Sequence, residues 1–304
     1  MSAPRLLLLG PNGQVGWELR RALAPLGELI ALDRHGHKGL NGDLSAPGKL
    51  AQTIYTLKPD AVVNAAAYTA VDRAEQEPDT ARRINAHGPR ALAEACRETD
   101  SLLVHYSTDY VFDGSGTAPW REDDPTDPLN LYGKTKLAGE IALRAASCRH
   151  LIFRTSWVYA ARGRNFLRTM LRIAAERDAL QVVDDQHGAP TSAELIADVT
   201  AQALRTALAD PTLDGTYHLT ARGETTWHGY ARHLITVARE AGYPIRVSDD
   251  ALTPVPSEAF PTPAARPHNS RLDVSKLEQT FGLWMPPWEI GVERVVGELV
   301  TGDG

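Results

Sequence analysis

Cysteine is nearly absent: Cys96 and Cys148 are the only two among 304 residues. That excludes a disulfide framework. Both lie in segments that read as helices, so buried free thiols and a reducing, cytoplasmic setting are expected. No stretch approaches the roughly 18 apolar residues that a membrane-spanning helix needs. The opening MSAPRLLLLG is too short an apolar run for a signal peptide. No block of lysine and arginine stands out. The 32 basic and 38 acidic residues leave a formal net charge of -6, which argues against a general nucleic-acid binder. Internal repeats and low-complexity tracts are also missing.

The chain is 43% apolar, enough for a large core. Its length suits one principal domain with an appended lobe. Short apolar runs alternate with longer helical patterns in the first half. RLLLLG (5–10), LIALD (29–33), DAVVNAAA (60–67), SLLVHYS (101–107) and LIFRTSW (151–157) read as strands. Helical patterns cover 14–26, 48–57, 80–99 and 129–146. Strands buried on both faces and separated by helices predict a parallel sheet with helices on both sides. The second half predicts helices near 163–177, 192–208 and 227–240, with short strands at ALQVVD and GTYHLT. Residues 253–273, TPVPSEAFPTPAARPHNSRLD, carry too many prolines for a central strand or long helix.

LLLLGPNGQVGWEL sets Gly10, Gly13 and Gly16 between the first strand and first helix. Glycine permits a left-handed turn and close backbone approach. The helix N-terminus behind it offers free amides to a pyrophosphate. The spacing is G-x-x-G-x-x-G, an imperfect match to the common dinucleotide fingerprint. Asp33 ends the second strand, where an acid accepts bonds from an adenosine ribose. Arg34, His35 and Lys38 follow and favour a 2′-phosphate, so NADH and NADPH both remain open. Asp43 and Leu44 are expected near the adenine. Ala67, Tyr68 and Thr69 are expected across the crevice.

LNLYGKTKLAGEIAL (129–143) puts Tyr132 and Lys136 one turn apart on one helical face. A tyrosine titrates near about 10. A neighbouring ammonium favours the phenolate and lowers that value. Such a pair can pass a proton to or from an alcohol oxygen as hydride moves. Tyr-x-x-x-Lys alone is common; after a dinucleotide-like first half it gains weight. In HYSTDYVFDG (105–114), Ser107 and Thr108 end the fourth strand where a nicotinamide would lie. A hydroxyl there can bond the carbonyl being reduced. Local capping is the alternative, and the residues alone do not choose between the two hydroxyls. His105 reads as packed and hydrogen-bonded rather than catalytic.

These stretches, with VNAAAYTAVDRAE (63–75), FRTSWVYA (153–160), NFLRTML (165–171), DDQHGAPT (184–191) and RPHNSRLD (266–273), resemble the extended short-chain dehydrogenase/reductases over almost the whole chain. The resemblance implies an α/β fold: a Rossmann-type parallel sheet with helices on both faces and a smaller, mainly C-terminal substrate lobe. Residues 1–160 would form the NAD(P)-binding domain, completed by parts of 180–225. Residues 161–304 would form mainly the substrate lobe, with returning core elements.

The implied activity is reduction of the C4 keto group of dTDP-4-dehydro-L-rhamnose to dTDP-L-rhamnose by NADPH or NADH. Thr108, Tyr132 and Lys136 would be catalytic. Gly10, Gly13, Gln14, Val15, Gly16, Asp33, Arg34, Asp43, Leu44, Ala67, Tyr68, Thr69, Tyr132 and Lys136 would hold the cofactor. Thr108, Asp109, Tyr132, Trp157, Asn165, Arg266 and Asn269 would contact the dTDP-sugar. Some members resemble a Mg2+-linked homodimer with carboxylates matching Glu18, Glu194 and Glu298; read alone, these are acids on solvated helix surfaces. An epimerase or dehydratase of the same fold is the nearest alternative. Asp109 is followed by Tyr110, so the acidic pair of a dehydratase is incomplete. A nucleotide-binding regulatory subunit without turnover is the alternative from another class.

Overall fold

The computed structural model describes residues 3–302. Its strands are β1 (Arg5–Leu9), β2 (Glu28–Leu32), β3 (Ala61–Asn64), β4 (Leu102–Thr108), β5 (His150–Thr155), β6 (Val158–Tyr159), β7 (Leu180–Val183), β8 (His187–Gly188), β9 (Thr191–Ser192), β10 (Gly215–His218), β11 (Thr225–Thr226) and β12 (Leu252–Val255). The helices are α1 (Gln14–Leu23), α2 (Pro47–Leu57), α3 (Val71–Gln76), α4 (Pro78–Arg82), α5 (Gly88–Thr99), α6 (Leu131–Ala146), α7 (Phe166–Glu176), α8 (Ala193–Ala209), α9 (Trp227–Glu240), α10 (Ser275–Phe281) and α11 (Trp288–Thr301).

Six strands form one sheet in the order β10-β5-β4-β3-β1-β2, every pair parallel. Successive side chains of a strand point to opposite faces. Leu6, Leu8, Val63 and Val104 therefore pack with α1 and α8 on one side. Leu7, Leu9, Val62 and Leu103 pack with α2 and α5 on the other. The chain leaves β1 for β2 on one flank and returns to β3 on the other. That reversal opens a crevice at the carboxyl ends of β1 and β3, where ligands of open parallel sheets bind. A second core lies in the C-terminal half, with Leu167 and Leu171 of α7, Tyr230 and Leu234 of α9, and Val292 and Val296 of α11.

The α/β architecture is as expected, with local differences. The third strand stops at Asn64 because Ala65–Ala67 bend across the crevice beside Gly10. The helical stretch 80–99 is interrupted by a π-turn at Arg83–His87. Cys148 lies just past α6, not within it; it and Cys96 are buried free thiols. The proline-rich segment begins as β12, parallel to β7, with Pro254 on a two-stranded pair. It then wraps back onto the sheet domain, where Asn130 donates to the Ala265 carbonyl at 2.8 Å. Among the described residues no helix is long and apolar enough to cross a membrane.

Candidate active site

The glycine turn has distinct reasons for each glycine. Gly10 holds φ +77, and a Cβ there would sit 2.8 Å from the Ala66 amide nitrogen. A Cβ on Gly16 would run into the Gly10 carbonyl oxygen, so α1 can pack on the turn only through a glycine. Gly13 is the N-cap of α1 and makes no side-chain cap bond. The first amides of α1 therefore stay free, and with the helix dipole they suit a phosphate group. This cradle fits the pyrophosphate of a dinucleotide.

A cavity of about 610 Å³ opens beside the turn. Gly10, Gly13, Gln14, Val15, Ala67, Thr69, Thr108, Asp109, Tyr132, Lys136 and Trp157 all line it. Residues far apart in the sequence, from Gly10 to Trp157, thus meet there. A larger cleft of about 940 Å³, between Arg121–Asp124 and Asp273–Thr280, carries mixed charge and none of these groups.

The adenosine side is less open to new bonds. Asp33 accepts from Asn12 Nδ2 at 3.2 Å and from the His35 amide at 2.8 Å, so both oxygens brace the turn. Arg34 is exposed and donates to His35 at 3.3 Å. Asp43 caps its own loop, accepting from the amide and hydroxyl of Ser45, and Leu44 is buried. Tyr68 gives its hydroxyl to Glu77 at 2.7 Å, and its amide to Asn85 at 2.9 Å. Asp43, Leu44 and Tyr68 thus shape the crevice wall and its loops without lining the cavity.

At the cavity floor Thr108 ends β4, and its hydroxyl donates to Asp109 Oδ1 at 3.0 Å. Burial pushes the Tyr132 phenol up to about 12, Asp109 adds to this, and a bond with Thr108 opposes it. Burial brings the Lys136 ammonium down to about 8 against the pull of Glu140. The expected depression of Tyr132 by the lysine is absent. Lys136 Nζ turns into the sheet instead, donating to the Tyr106 carbonyl at 2.6 Å and facing His105 Nε2 at 3.4 Å. His105 is, as expected, packed and bonded, with Asn64 Nδ2 3.0 Å from its Nδ1. Val111 and Phe112 pack beneath the floor, Phe112 stacked on Trp120.

The end of β5 and the residues after it line the same cavity, with Thr155 paired in register with Thr108 of β4. Thr155 Oγ1 and Ser156 Oγ are buried with no partner in the chain, and so is Asp109 Oδ2. Burial raises the Asp109 carboxyl to about 7, against bonds from Ser270 and Thr108. Trp157 adopts φ +49 and stacks on Trp227 at 3.7 Å between centroids. Such strain in a non-glycine residue persists where surrounding structure enforces it. A second cavity, about 520 Å³, shares Trp227 and is lined by Phe166, Met170, Phe260, Arg266 and His268.

Two expected substrate contacts are otherwise engaged. Asn269 is buried and saturated: it donates to the Ser115 and Ala118 carbonyls and accepts from Arg271. It pins the wrapping segment and does not reach the cavity. Asn165 caps α7 and donates to Gln14 Oε1 and the Ala160 carbonyl, both at 2.8 Å. Arg266 lines the second cavity while donating to Asp72 at 2.8 Å.

Glu18, Glu194 and Glu298 come from α1, α8 and α11. Glu18 is raised above its ordinary value, first by burial and then by Glu194, with Glu298 adding to this. Arg294 contacts Glu194 at 3.0 Å and Arg21 lies 3.8 Å from Glu18. Among the described residues no group of three or more His, Cys, Asp or Glu could hold a metal ion. The expected magnesium ligand set is therefore not formed within one chain: arginines already meet two of its acids.

One buried cluster had almost no signal in the sequence. Ser107 donates to Glu140 at 2.5 Å, and Arg154 forks onto both Glu140 oxygens at 3.0 and 2.8 Å. The i,i+4 step from Lys136 to Glu140 was the one available clue. Ser107 thus braces the floor, while Thr108 faces the cavity. Trp227, Thr155 and Ser156 were also unread, because nothing in their local sequence places them at the cavity of Tyr132.

A phosphate-binding turn, a strand-end hydroxyl and a Tyr-Lys pair around one cavity define a nucleotide-dependent reductase site of the short-chain type. The RmlD substrate binding domain model matches residues 4–301. The dTDP-4-dehydrorhamnose reductase of Salmonella typhimurium is 55% identical over 296 residues, covering 97% of this chain and 98% of that protein. A Bacillus anthracis dTDP-4-dehydrorhamnose reductase, solved in complex with NADP, superposes with TM-score 0.86 at 34% identity over 97% of this chain and 99% of that one. The Clostridium acetobutylicum counterpart gives TM-score 0.85 at 34% identity over the same shares. The chain belongs to the dTDP-4-dehydrorhamnose reductase family.

Proposed function

We propose that this chain reduces the C4 keto group of dTDP-4-dehydro-L-rhamnose to give dTDP-L-rhamnose, using NADPH or NADH. The observation that carries this reading is the convergence of Thr108, Tyr132 and Lys136 on the cavity that the glycine turn enters. When bound, the nicotinamide cofactor supplies the hydride. Thr108 would donate to the C4 carbonyl oxygen, turning its one hydroxyl hydrogen from Asp109 Oδ1 to the substrate. Tyr132 gives its phenolic proton to that oxygen as it becomes an alkoxide. A phenol near about 12 stays protonated at neutral pH, which suits a proton donor. Lys136 would meet the nicotinamide ribose and stabilise the phenolate left behind.

Asp109 Oδ2, Thr155 Oγ1 and Ser156 Oγ are buried polar atoms in want of partners, and sugar hydroxyls would satisfy them. The Trp157–Trp227 stack offers a flat apolar wall to the hexose. The second cavity, with aromatic walls and Arg266, suits the nucleoside diphosphate. On this reading residues 1–160 with β10 bind the cofactor and most of 161–304 forms the substrate lobe. The exposed Arg34 favours a 2′-phosphate and hence NADPH, since Asp33 is spent on the turn. The buried free thiols fit a reducing cytoplasm. A homodimer meeting through the acidic faces of α1, α8 and α11 belongs to the same reading. Sedimentation with and without Mg2+ tests it, and the ion is given no chemical step.

The direct test follows oxidation of NADPH and NADH with freshly made dTDP-4-dehydro-L-rhamnose and identifies the sugar product. Stoichiometric oxidation with dTDP-L-rhamnose formed is expected. Isomerised sugar without net oxidation would point to an epimerase instead.

A further inference from the structure

Lys136 is buried beneath the cavity, and its surroundings can be counted bond by bond. From α6, Glu140 faces it electrostatically, itself held by Arg154 of β5 and by Arg144. Tyr132 lies one turn back on the same helix. From β4 come the Tyr106 carbonyl at 2.6 Å and His105 Nε2 at 3.4 Å. From β3 comes Asn64, whose side-chain nitrogen is 3.0 Å from His105 Nδ1.

The orientation of the Asn64 amide decides the rest. Its Oδ1 accepts from the Ala66 backbone amide at 3.2 Å. Turning the amide over would set an NH2 group against that N–H, two donors with no acceptor. Asn64 Nδ2 must therefore donate to His105 Nδ1. A neutral imidazole carries one N–H and one acceptor nitrogen. With Nδ1 accepting, the proton sits on Nε2 and points at Lys136. Burial and the nearby lysine both disfavour a charged imidazolium, so the ring stays neutral. An ammonium has only donors to offer toward that N–H, whereas a neutral amine has a lone pair that can accept it.

We propose that Asn64 and His105 are positioning residues for Lys136, locking the Nε2–H tautomer so that the lysine meets a donor on its inner side. The pair favours the neutral amine and makes the lysine readier to lose its proton. Its consequence for turnover rests on the reductase reading; the tautomer itself does not.

Long-range nitrogen–proton NMR spectra of the histidine-labelled free protein, from roughly pH 6 to 9, read the tautomer directly. His105 is assigned by loss of its signals in His105→Gln. A protonated Nε2 with bare Nδ1 throughout is expected; an Nδ1–H tautomer or an imidazolium in that range overturns the proposal. Asn64→Asp supplies the second test. Its carboxylate can only accept, which drives the proton to Nδ1 and turns an Nε2 lone pair toward the Lys136 ammonium. The alkaline limb of kcat/KM should then move up by about one pH unit, roughly tenfold in the proton equilibrium. A folded Asn64→Asp protein whose limb stays in place or moves down would reduce the pair to structural packing. If Asn64→Asp does not fold, the wild-type spectrum alone decides. The expected tautomer in a protein without turnover would keep this inference and remove the reductase reading.

Discussion

On the α6 side of the cavity, Lys136, Ser107 and Glu140 already have partners within the chain. On the β5 side, next to Thr108, Thr155 Oγ1 and Ser156 Oγ have none. Both sides are buried, yet one is braced and the other is left unsatisfied. A buried polar atom without a partner costs about 1–3 kcal/mol. A fold tolerates that where a ligand can supply the missing bond. On the proposed function, the difference separates the machinery that must not move from the surface that would read the sugar. Asp109 belongs to both, with Thr108 and Ser270 against its carboxyl and Oδ2 left without a hydrogen bond.

Changes on the braced side should be the most damaging. Tyr132→Phe keeps the ring and its edge contact with Tyr110 but removes the proton. Turnover should fall by roughly 10²–10⁴-fold with cofactor binding retained; single-turnover absorbance and cofactor fluorescence measure the two. Near-normal turnover would remove the assigned proton donor.

Arg154→Met should destabilise the fold by about 3–5 kcal/mol in denaturant unfolding, since it strips the main partner from a buried carboxylate. Burial pushes Glu140 up, but the bonds and charge of Arg154 outweigh it and leave Glu140 below its ordinary value. The stabilisation is therefore complete above the usual carboxylate range and is lost as pH falls through the depressed folded value. An Arg154→Met protein as stable as the parent at pH 7 would show that the bracing is dispensable.

Asp109 has the opposite sign. Its folded value of about 7 lies above the ordinary value of about 3.9. The folded chain then holds a proton that the unfolded chain releases. Stability should fall as pH rises between those two values and stay reduced above them. Asp109→Asn should flatten this slope and gain on the order of 1–3 kcal/mol at pH 8, while weakening turnover. Unchanged slopes in unfolding titrations would place the carboxylate elsewhere in energy.

The smallest effect belongs to the unsatisfied wall. Ser156→Ala breaks no internal bond. Its melting temperature should stay within about 1–2 °C of the parent while KM rises a few-fold and kcat holds. A large loss of stability would mean that the hydroxyl is part of the brace.

Much of the site was legible before the fold was known. Tyr132 and Lys136 share a helical face by spacing alone, and the glycine turn sits between a strand and a helix. Sequence could not foresee the internal bonds of Asn165 and Asn269, because asparagine in a motif looks the same whether it meets substrate or caps a helix. Only the partners of Asn269, the Ser115 and Ala118 carbonyls more than 150 residues away in the chain, reveal its saturation. The helices α10 and α11 went unread because α10 is only 7 residues long and α11 is valine-rich and interrupted by Gly291 and Gly297.

What the sequence determined by itself are features carried by neighbours along the chain. They include the buried strands, the turn at Gly10–Gly16, the helical pairing of Tyr132 with Lys136, and the strand-end hydroxyls. Each depends on backbone sterics and a period of two or of 3.6. Tertiary structure decided which of those groups are free to act. It turned Lys136 toward His105, paired Glu140 with Arg154, spent Asp33 and Asn269 on internal bonds, and left Thr155 and Ser156 unpartnered. Hydrogen-bond satisfaction in a buried site depends on what packs from other elements, and that information does not lie along the chain.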